Sequence, residues 1–260
     1  MSLLLAVDVG NSNTVFGVFS EGQLHHTWRL STDPARTADE YTAFLSSIAR
    51  KFSYAFTAGK AIISSVTPRI NRPLASCLRE QFGLECTFVP EINHPILING
   101  SGAGSDLIVN AMAALTIYKE DCIIVDFGTA TTFSSVRHAT KEIIGVVIAP
   151  GILSSMKALT TSAAQLHDVA LQQPSGSILC LTTENAIGAG VYYGFLDLAA
   201  GIIGRIKSEK KLGADCRVVA TGGTTKLFRK EDAPFFDTIE PDFTLFGLYE
   251  LAKYNTKQRV

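Results

Sequence analysis

At 260 residues the chain has room for one large domain or two of about 100–150 residues each, with a sizeable core. Its 47% hydrophobic and 18% charged content is that of an ordinary soluble globular protein. A formal net charge of -1 excludes a bulk electrostatic pull toward nucleic acid or an anionic membrane and leaves only local basic patches.

The apolar start, residues 3–7, lacks a basic flank, and its apolar run ends at Asp8. That is too short for a signal h-region and reads as a strand buried on both faces. No run approaches the ~18 apolar residues of a spanning helix. The five cysteines are scattered without a CxxC pair, as expected of small buried hydrophobes in a reducing cytosol. The expected location is cytoplasmic, with no membrane partner.

After the loop 8–12, strands are expected over 13–19 and 23–30, joined by a Glu21-Gly22 turn. Residues 37–52 read as a helix, capped at Thr37 or Asp39, with Tyr41, Phe44, Leu45 and Ile48 as its apolar stripe. A short buried strand over 61–66 ends at Thr67-Pro68. A helix over 73–82 and a strand over 86–89 follow. Residues 93–105 are loop, rich in Gly, Asn and Ser, and 106–118 a helix.

The second half repeats the opening order: strand 122–126, loop, strand 131–136, polar turn, strand 142–149, a Pro150-Gly151 break and helix 152–160. Residues 184–207 form a long helical segment whose five glycines lower its helix propensity but permit close backbone approach. A strand over 217–220 runs into Thr221-Gly222-Gly223, and 243–254 is the terminal helix. With no linker tract, the halves divide near 117–121, as residues 1–118 and 119–260.

Two loops carry chemistry. Val7-Asp8-Val9-Gly10-Asn11-Ser12-Asn13-Thr14 and Val125-Asp126-Phe127-Gly128-Thr129-Ala130-Thr131-Thr132 are offset by 118 positions, each after a buried strand and before a second one. Gly10 and Gly128 let backbone N–H groups approach a phosphate oxygen. Asn11, Ser12, Asn13, Thr14, Thr129, Thr131 and Thr132 can add hydrogen bonds around it, with Ala130 in the same loop. Asp8 and Asp126 beside phosphate need a bridging cation, which Mg²⁺ held through carboxylates and waters supplies. A single copy is as easily an ordinary turn, but two copies argue for paired half-domains facing one nucleotide. Neither copy is a Walker GxxxxGK[ST] loop or a Rossmann GxGxxG loop. Gly222 and Gly223 offer a flat backbone surface suited to adenine or ribose, or a plain strand-end turn.

Taken together with Ile148-Ala149-Pro150-Gly151-Ile152, Gly190-Val191-Tyr192-Tyr193-Gly194 and Ala220-Thr221-Gly222-Gly223, these segments resemble the type III pantothenate kinases, in order from Leu3 to about Leu251. That family belongs to the actin/hexokinase-like phosphotransferase superfamily. The resemblance implies an α/β fold of two duplicated ribonuclease-H-like, actin-like half-domains, with mixed sheets flanked by helices. It implies ATP·Mg²⁺ in the cleft between them, a monovalent cation (K⁺ or NH₄⁺), a homodimer, and phosphorylation of pantothenate as the first step of coenzyme A synthesis. By position the catalytic base is Asp106, although an aspartate there also suits a helix cap. Gly104, Ser105, Leu107 and Thr183 fall on substrate positions.

The chain departs from the family where substrate is expected. Gly104-Ser105-Asp106-Leu107 stands for the usual Gly-Ala-Asp-Arg, Leu97 for a tyrosine, and Ser134 for an acidic residue after the second loop. A lost charge-assisted bond of roughly 1.5–3 kcal/mol would weaken substrate binding about 10- to 100-fold. The ATP half is therefore intact and the pantothenate half altered. Besides an active pantothenate kinase, this pattern fits a kinase of another small hydroxy acid or a nucleotide-binding accessory protein. No basic stripe or helix-turn-helix marks a nucleic-acid partner.

Overall fold

The computed structural model describes residues 3–54, 59–98, 103–162, 171–174, 177–213 and 215–258. In chain order they form β1 (Leu4–Val9), β2 (Asn13–Ser20), β3 (Gln23–Ser31), α1 (Ala38–Phe52), β4 (Lys60–Ser65), α2 (Pro68–Ser76), β5 (Glu85–Phe88), β6 (Leu97–Ile98) and α3 (Ser105–Ile117). The second half continues with β7 (Cys122–Phe127), β8 (Ala130–Arg137), β9 (Glu142–Pro150), α4 (Ile152–Ser162), α5 (Thr183–Glu209), β10 (Arg217–Thr221), β11 (Thr238–Ile239) and α6 (Phe243–Gln258).

Two compact units emerge. The first comprises Met1–Ile96, Gly100–Thr116 and Thr244–Val260; the second comprises Leu97–Asn99 and Ile117–Phe243. Each has one mixed sheet. The first runs β3-β2-β1-β4-β5 and the second β11-β10-β7-β8-β9-β6. Reversed, and without its extra edge strand β6, the second order repeats the first strand for strand. In both, the opening three strands are an antiparallel meander, and β4 or β10 then joins the first strand in parallel. The duplication in the sequence is thus a duplication of topology.

In the first unit, Glu21 (φ 53) and Gly22 (φ 87) close the β2–β3 hairpin in the left-handed turn that strand twist favours. Helix α1 starts with a capping box, Thr37 and Glu40 each bonding the other's backbone N–H. Glu40 is held below the usual carboxylate range, chiefly by the Thr37 N–H. The face of β1 carrying Leu5, Val7 and Val9 packs with Tyr41 and Leu45 of α1 and with Ile70 and Leu74 of α2. Alternation along the strand puts Asp8 on the opposite face.

Helix α2 begins at Pro68, five residues earlier than the sequence suggests. Pro68, expected to end the preceding strand, instead occupies the first helical turn, where proline's missing N–H costs nothing. Helix α6 groups with the first unit, whereas the sequence division places it in the second half. A Cβ at Gly247 would lie 2.1 Å from the Val109 carbonyl of α3, Thr244 Oγ1 bonds Asn110 Oδ1 at 2.9 Å, and Phe246 and Tyr249 pack on Phe19.

The second unit packs Ile123, Val125 and Phe127 of β7, with Val218 and Ala220 of β10, against Tyr192, Phe195, Leu196, Ala199 and Ile203 of α5. Helix α5 is continuous through its glycines and, by length and composition alone, is apolar enough to cross a membrane. That qualifies the expectation of no such segment; here its buried face is the core helix of its unit. All five cysteines are unpaired. Burial pushes the thiol of Cys122 up to about 12 and that of Cys216 up to about 11, as small core hydrophobes would behave.

Candidate functional site

The first loop joins β1 to β2 over Gly10–Asn13, closed by Gly10 N–H donating to the Asn13 carbonyl at 3.0 Å. Asn11 and Ser12 are exposed. Thr32, just past β3, holds the loop from behind. Its hydroxyl donates to the Gly10 carbonyl at 2.8 Å, and its N–H to the Ser12 carbonyl at 2.9 Å. Because that hydroxyl hydrogen is committed, Thr14 Oγ1, 3.0 Å away, is the donor to Thr32. Thr67 Oγ1 reaches the Gly10 carbonyl at 3.5 Å.

Asp8 sits at the carboxyl end of β1, in register with Ser64 of β4. Ser64 Oγ donates to Ser105 Oγ at 3.0 Å. Ser105 opens α3, and Asp106 follows it. Parallel strand pairing and one pair of hydroxyls thus bring Asp106, nearly a hundred residues along the chain, to the element beside the first loop. Gly104 caps α3, its carbonyl accepting from the N–H of Leu107 at 3.1 Å and of Ile108 at 3.3 Å. Asp106 Oδ1 accepts from Leu107 N–H at 2.9 Å and lies 2.5 Å from where a Cβ on Gly104 would stand. The carboxylate therefore gives one oxygen to the helix start, where the positive end of the helix favours negative charge. Part of the glycine-rich segment before Gly104, residues 99–102, lies outside the described residues.

The second loop is shorter. Gly128 N–H donates to the Ala130 carbonyl at 3.0 Å, spanning two residues where Gly10 spans three. Val9 pairs with Thr14, and Phe127 with Thr131. The offset of 118 positions before the loops therefore becomes 117 after them. Gly128 and Thr129 are exposed. Asp126 stands in one cross-strand row with Thr132 of β8 and Thr221 of β10. Thr221 Oγ1 is buried without a hydrogen-bond partner.

Close backbone approach shapes this second loop. A Cβ on Gly151 would lie 2.2 Å from the Thr129 carbonyl oxygen and 2.6 Å from that of Gly128. Gly222, at φ +98, would place a Cβ 2.5 Å from Asp126 Oδ1 and 2.7 Å from the Phe127 carbonyl. Both positions demand glycine, Gly222 on conformational grounds as well. Ser154 Oγ donates to the Thr129 carbonyl and Thr224 Oγ1 to the Phe127 carbonyl, at 2.8 and 2.9 Å. Gly223 follows in the same turn.

Three expectations change. Thr14 and Thr131 are fully buried, with hydroxyls committed to Thr32 and to the Pro150 carbonyl, so they brace the loops rather than offer donors to phosphate. Ser105 is also buried and internally bonded, which removes it from the substrate-contacting set. Thr183 is the exposed first residue of α5, in a groove of about 660 Å³ lined also by Leu159, Ile187, Val191 and Leu198. Among the bracing residues, Thr32, Ser64 and Thr224 carry no signal in the sequence. Gly151 does carry one, as the break after β9 and as part of the Ile148–Ile152 segment.

No group of three or more His, Cys, Asp or Glu able to hold a metal occurs among the described residues. The donor set fits Mg²⁺ bound through one carboxylate, with waters and phosphate oxygens completing the shell. Asp8 beside Ser64, and Asp126 beside Thr132 and the orphaned Thr221 hydroxyl, provide hard oxygen donors of that kind. For a monovalent cation the fit is poor at Ser134, a buried neutral side chain in β8.

A family model described as type III pantothenate kinase matches residues 4–205. Among solved structures, the chain is similar to a protein from Campylobacter jejuni described as a conserved Baf family transcriptional activator. Identity is 21% over 97% of this chain and 99% of that one, with a TM-score of 0.56. The activator of 2-hydroxyisocaproyl-CoA dehydratase from Clostridium difficile, solved with ADPNP, is 12% identical over 99% and 97% of the two chains, with a TM-score of 0.58. MreB5 of Spiroplasma citri, solved with AMPPNP, is 11% identical over 100% and 97%, with a TM-score of 0.54. At these identities the likeness is one of fold alone, the mixed two-sheet α/β architecture described above.

Proposed function

The chain belongs to the type III pantothenate kinase family, and from that premise we propose that it transfers the γ-phosphoryl group of ATP to the primary hydroxyl of pantothenate. The observation that carries the reading is the Ser64–Ser105 bond, which brings Asp106 to the strand beside Asp8 and the first loop.

The loops Gly10–Asn13 and Gly128–Ala130 hold phosphate oxygens through their exposed side chains and through backbone N–H groups other than those of Gly10 and Gly128, which close the loops. The Asp106 carboxylate accepts the hydroxyl proton as that oxygen attacks the γ-phosphorus, and ADP leaves on the opposite side. Its hydrogen bond from the Leu107 N–H at the start of α3 holds it in one orientation. Asp8 and Asp126 are the residues assigned to Mg²⁺, which when bound neutralises charge on the phosphates. No residue is assigned to K⁺ or NH₄⁺. A second copy of the chain is assigned to the α4–α5 face, where Leu153 and Leu159 are exposed and Leu159 lines the Thr183 groove.

The test is ATP consumption coupled to added pantothenate, with Mg²⁺ and K⁺ present. Asp106→Asn should lower kcat by about 10²- to 10⁴-fold, and full activity in that variant would sink the base assignment. Leu107 favours a second reading, a kinase of another small hydroxy acid or a nucleotide-binding accessory protein. Turnover only with a different acceptor, or nucleotide binding without turnover, would select it. If pantothenate is the substrate, Leu107→Arg should lower its KM by about tenfold through one charge-assisted bond.

A further inference from the structure

We propose that Ser105 is a positioning residue that fixes Asp106 against the first phosphate loop through the carboxyl end of β4. The inference rests on the assignment of Asp106 as base and adds a device that assignment does not contain.

Ser105 is 4% exposed and Ser64 wholly buried. Around the Ser105 oxygen the hydrogen bonds are complete. Ser64 Oγ donates to it at 3.0 Å, the Ser65 N–H donates to it at 3.1 Å, and its own hydrogen goes to the Ser65 carbonyl at 3.2 Å. Two acceptances and one donation exhaust a hydroxyl. A buried group satisfied on every side has one orientation, and shifting it leaves partners unpaired. Ser105 is thereby a three-point rivet between the first turn of α3 and the end of β4.

The end of β4 is itself tied to the loop. Ser64 and Ser65 pair in register with Asp8 and Val9, the Val66 N–H donates to the Val9 carbonyl at 3.0 Å, and Thr67 Oγ1 reaches the Gly10 carbonyl. A short chain of contacts therefore runs from the Gly10 carbonyl through the β4 end to Ser105, and one peptide bond farther to Asp106. The exposed Gly104 lies on the other side of Ser105, with residues 103–104 joining it to the preceding loop. Without the rivet, the start of α3 would lose the three directed bonds that tie it to the end of β4.

The test combines kinetics with hydrogen exchange on the full chain. Ser105→Ala should lower kcat by about 10- to 100-fold, the scale of a catalytic group displaced by a fraction of an ångström to one ångström, with the KM for ATP unchanged. Ser105→Thr, which keeps the hydroxyl, should recover most of that loss. In an Asp106→Asn background Ser105→Ala should cost nothing further, because the two act as a unit. Exchange of the Leu107 and Ile108 amides should quicken about fivefold or more in Ser105→Ala. If that variant does not fold, Ser64→Ala, which removes one of the three bonds, should move both readouts the same way by less. Equal losses with and without Asp106 overturn the proposal, as does unchanged exchange. If Asp106→Asn is fully active the base assignment fails instead, and the exchange measurement alone decides whether Ser105 is the rivet.

Discussion

The two Asp-x-Gly loops arise from the same meander in the same strand order, yet they are built differently. The first spans Gly10 to Asn13 and is held by side chains, the Thr32 hydroxyl above all. The second is one residue shorter and, besides hydroxyl bonds from Ser154 and Thr224, is hemmed in by backbone, with Gly151 and Gly222 pressed against the carbonyls of residues 127–129. A hydroxyl brace can be trimmed and partly replaced by water. A backbone packed at contact distance admits no added atom. Duplication preserved the position of the carboxylate and the turn and left each copy free to find its own support.

Substitution can break this contrast, and the largest effect belongs to Gly151→Ala. Its Cβ would meet two backbone oxygens of the second loop at 2.2 and 2.6 Å. Overpacking of this kind costs about 1–3 kcal/mol, and the loop must move. Urea unfolding should register the lost stability and nucleotide titration a loss of affinity of about 100-fold; wild-type affinity would mean that Gly151 does not shape the loop.

Next come the loop glycines themselves. At Gly10 a Cβ meets the Asn13 carbonyl at 3.2 Å, and at Gly128 it stands at ordinary contact distance, 3.5 Å from the Ala130 carbonyl and 3.7 Å from Asp126 Oδ1. Gly10→Ala and Gly128→Ala should therefore shift stability by no more than about 1 kcal/mol. If phosphate approaches these backbones, ATP affinity should still fall by about tenfold. Equal loss of stability in Gly128→Ala and Gly151→Ala would erase the distinction between a ligand-facing and a protein-facing glycine.

The smallest effect separates the braces. Thr32→Val removes two bonds from a part-buried site, leaving the Gly10 carbonyl and Thr14 to find other partners, at about 1–2 kcal/mol. Ser154→Ala removes one bond from an exposed site and should cost under about 0.5 kcal/mol. Thermal or urea unfolding of the pair measures the difference. Equal values would mean that the first loop does not depend on Thr32.

Much of the molecule was readable in advance, for local reasons. Short apolar runs announced β1 and β7, and the strand-like runs after their loops announced β2 and β8. Glu21-Gly22 announced a hairpin, and Thr37 or Asp39 a helix start. The capping residues lie within four positions of what they cap, so a short window contains the whole signal. Strands β6 and β11 escaped because two residues have no periodicity. Pro68 misled because proline both ends a strand and begins a helix.

The functional elements divide in the same way. The chain's residues were enough to identify two carboxylate-and-glycine loops after buried strands, and an aspartate at a helix start. Each of these is written in adjacent residues, where turn chemistry and strand alternation act. Folding decided the supports: Ser64 against Ser105 across 41 positions, Gly151 against Thr129, and α6 packed through Gly247 onto α3. Such contacts join segments distant in the chain, and their residues are individually unremarkable serines and glycines. Only when the sheets form do those residues come within bonding or van der Waals distance, and only then do the loops and Asp106 acquire fixed positions.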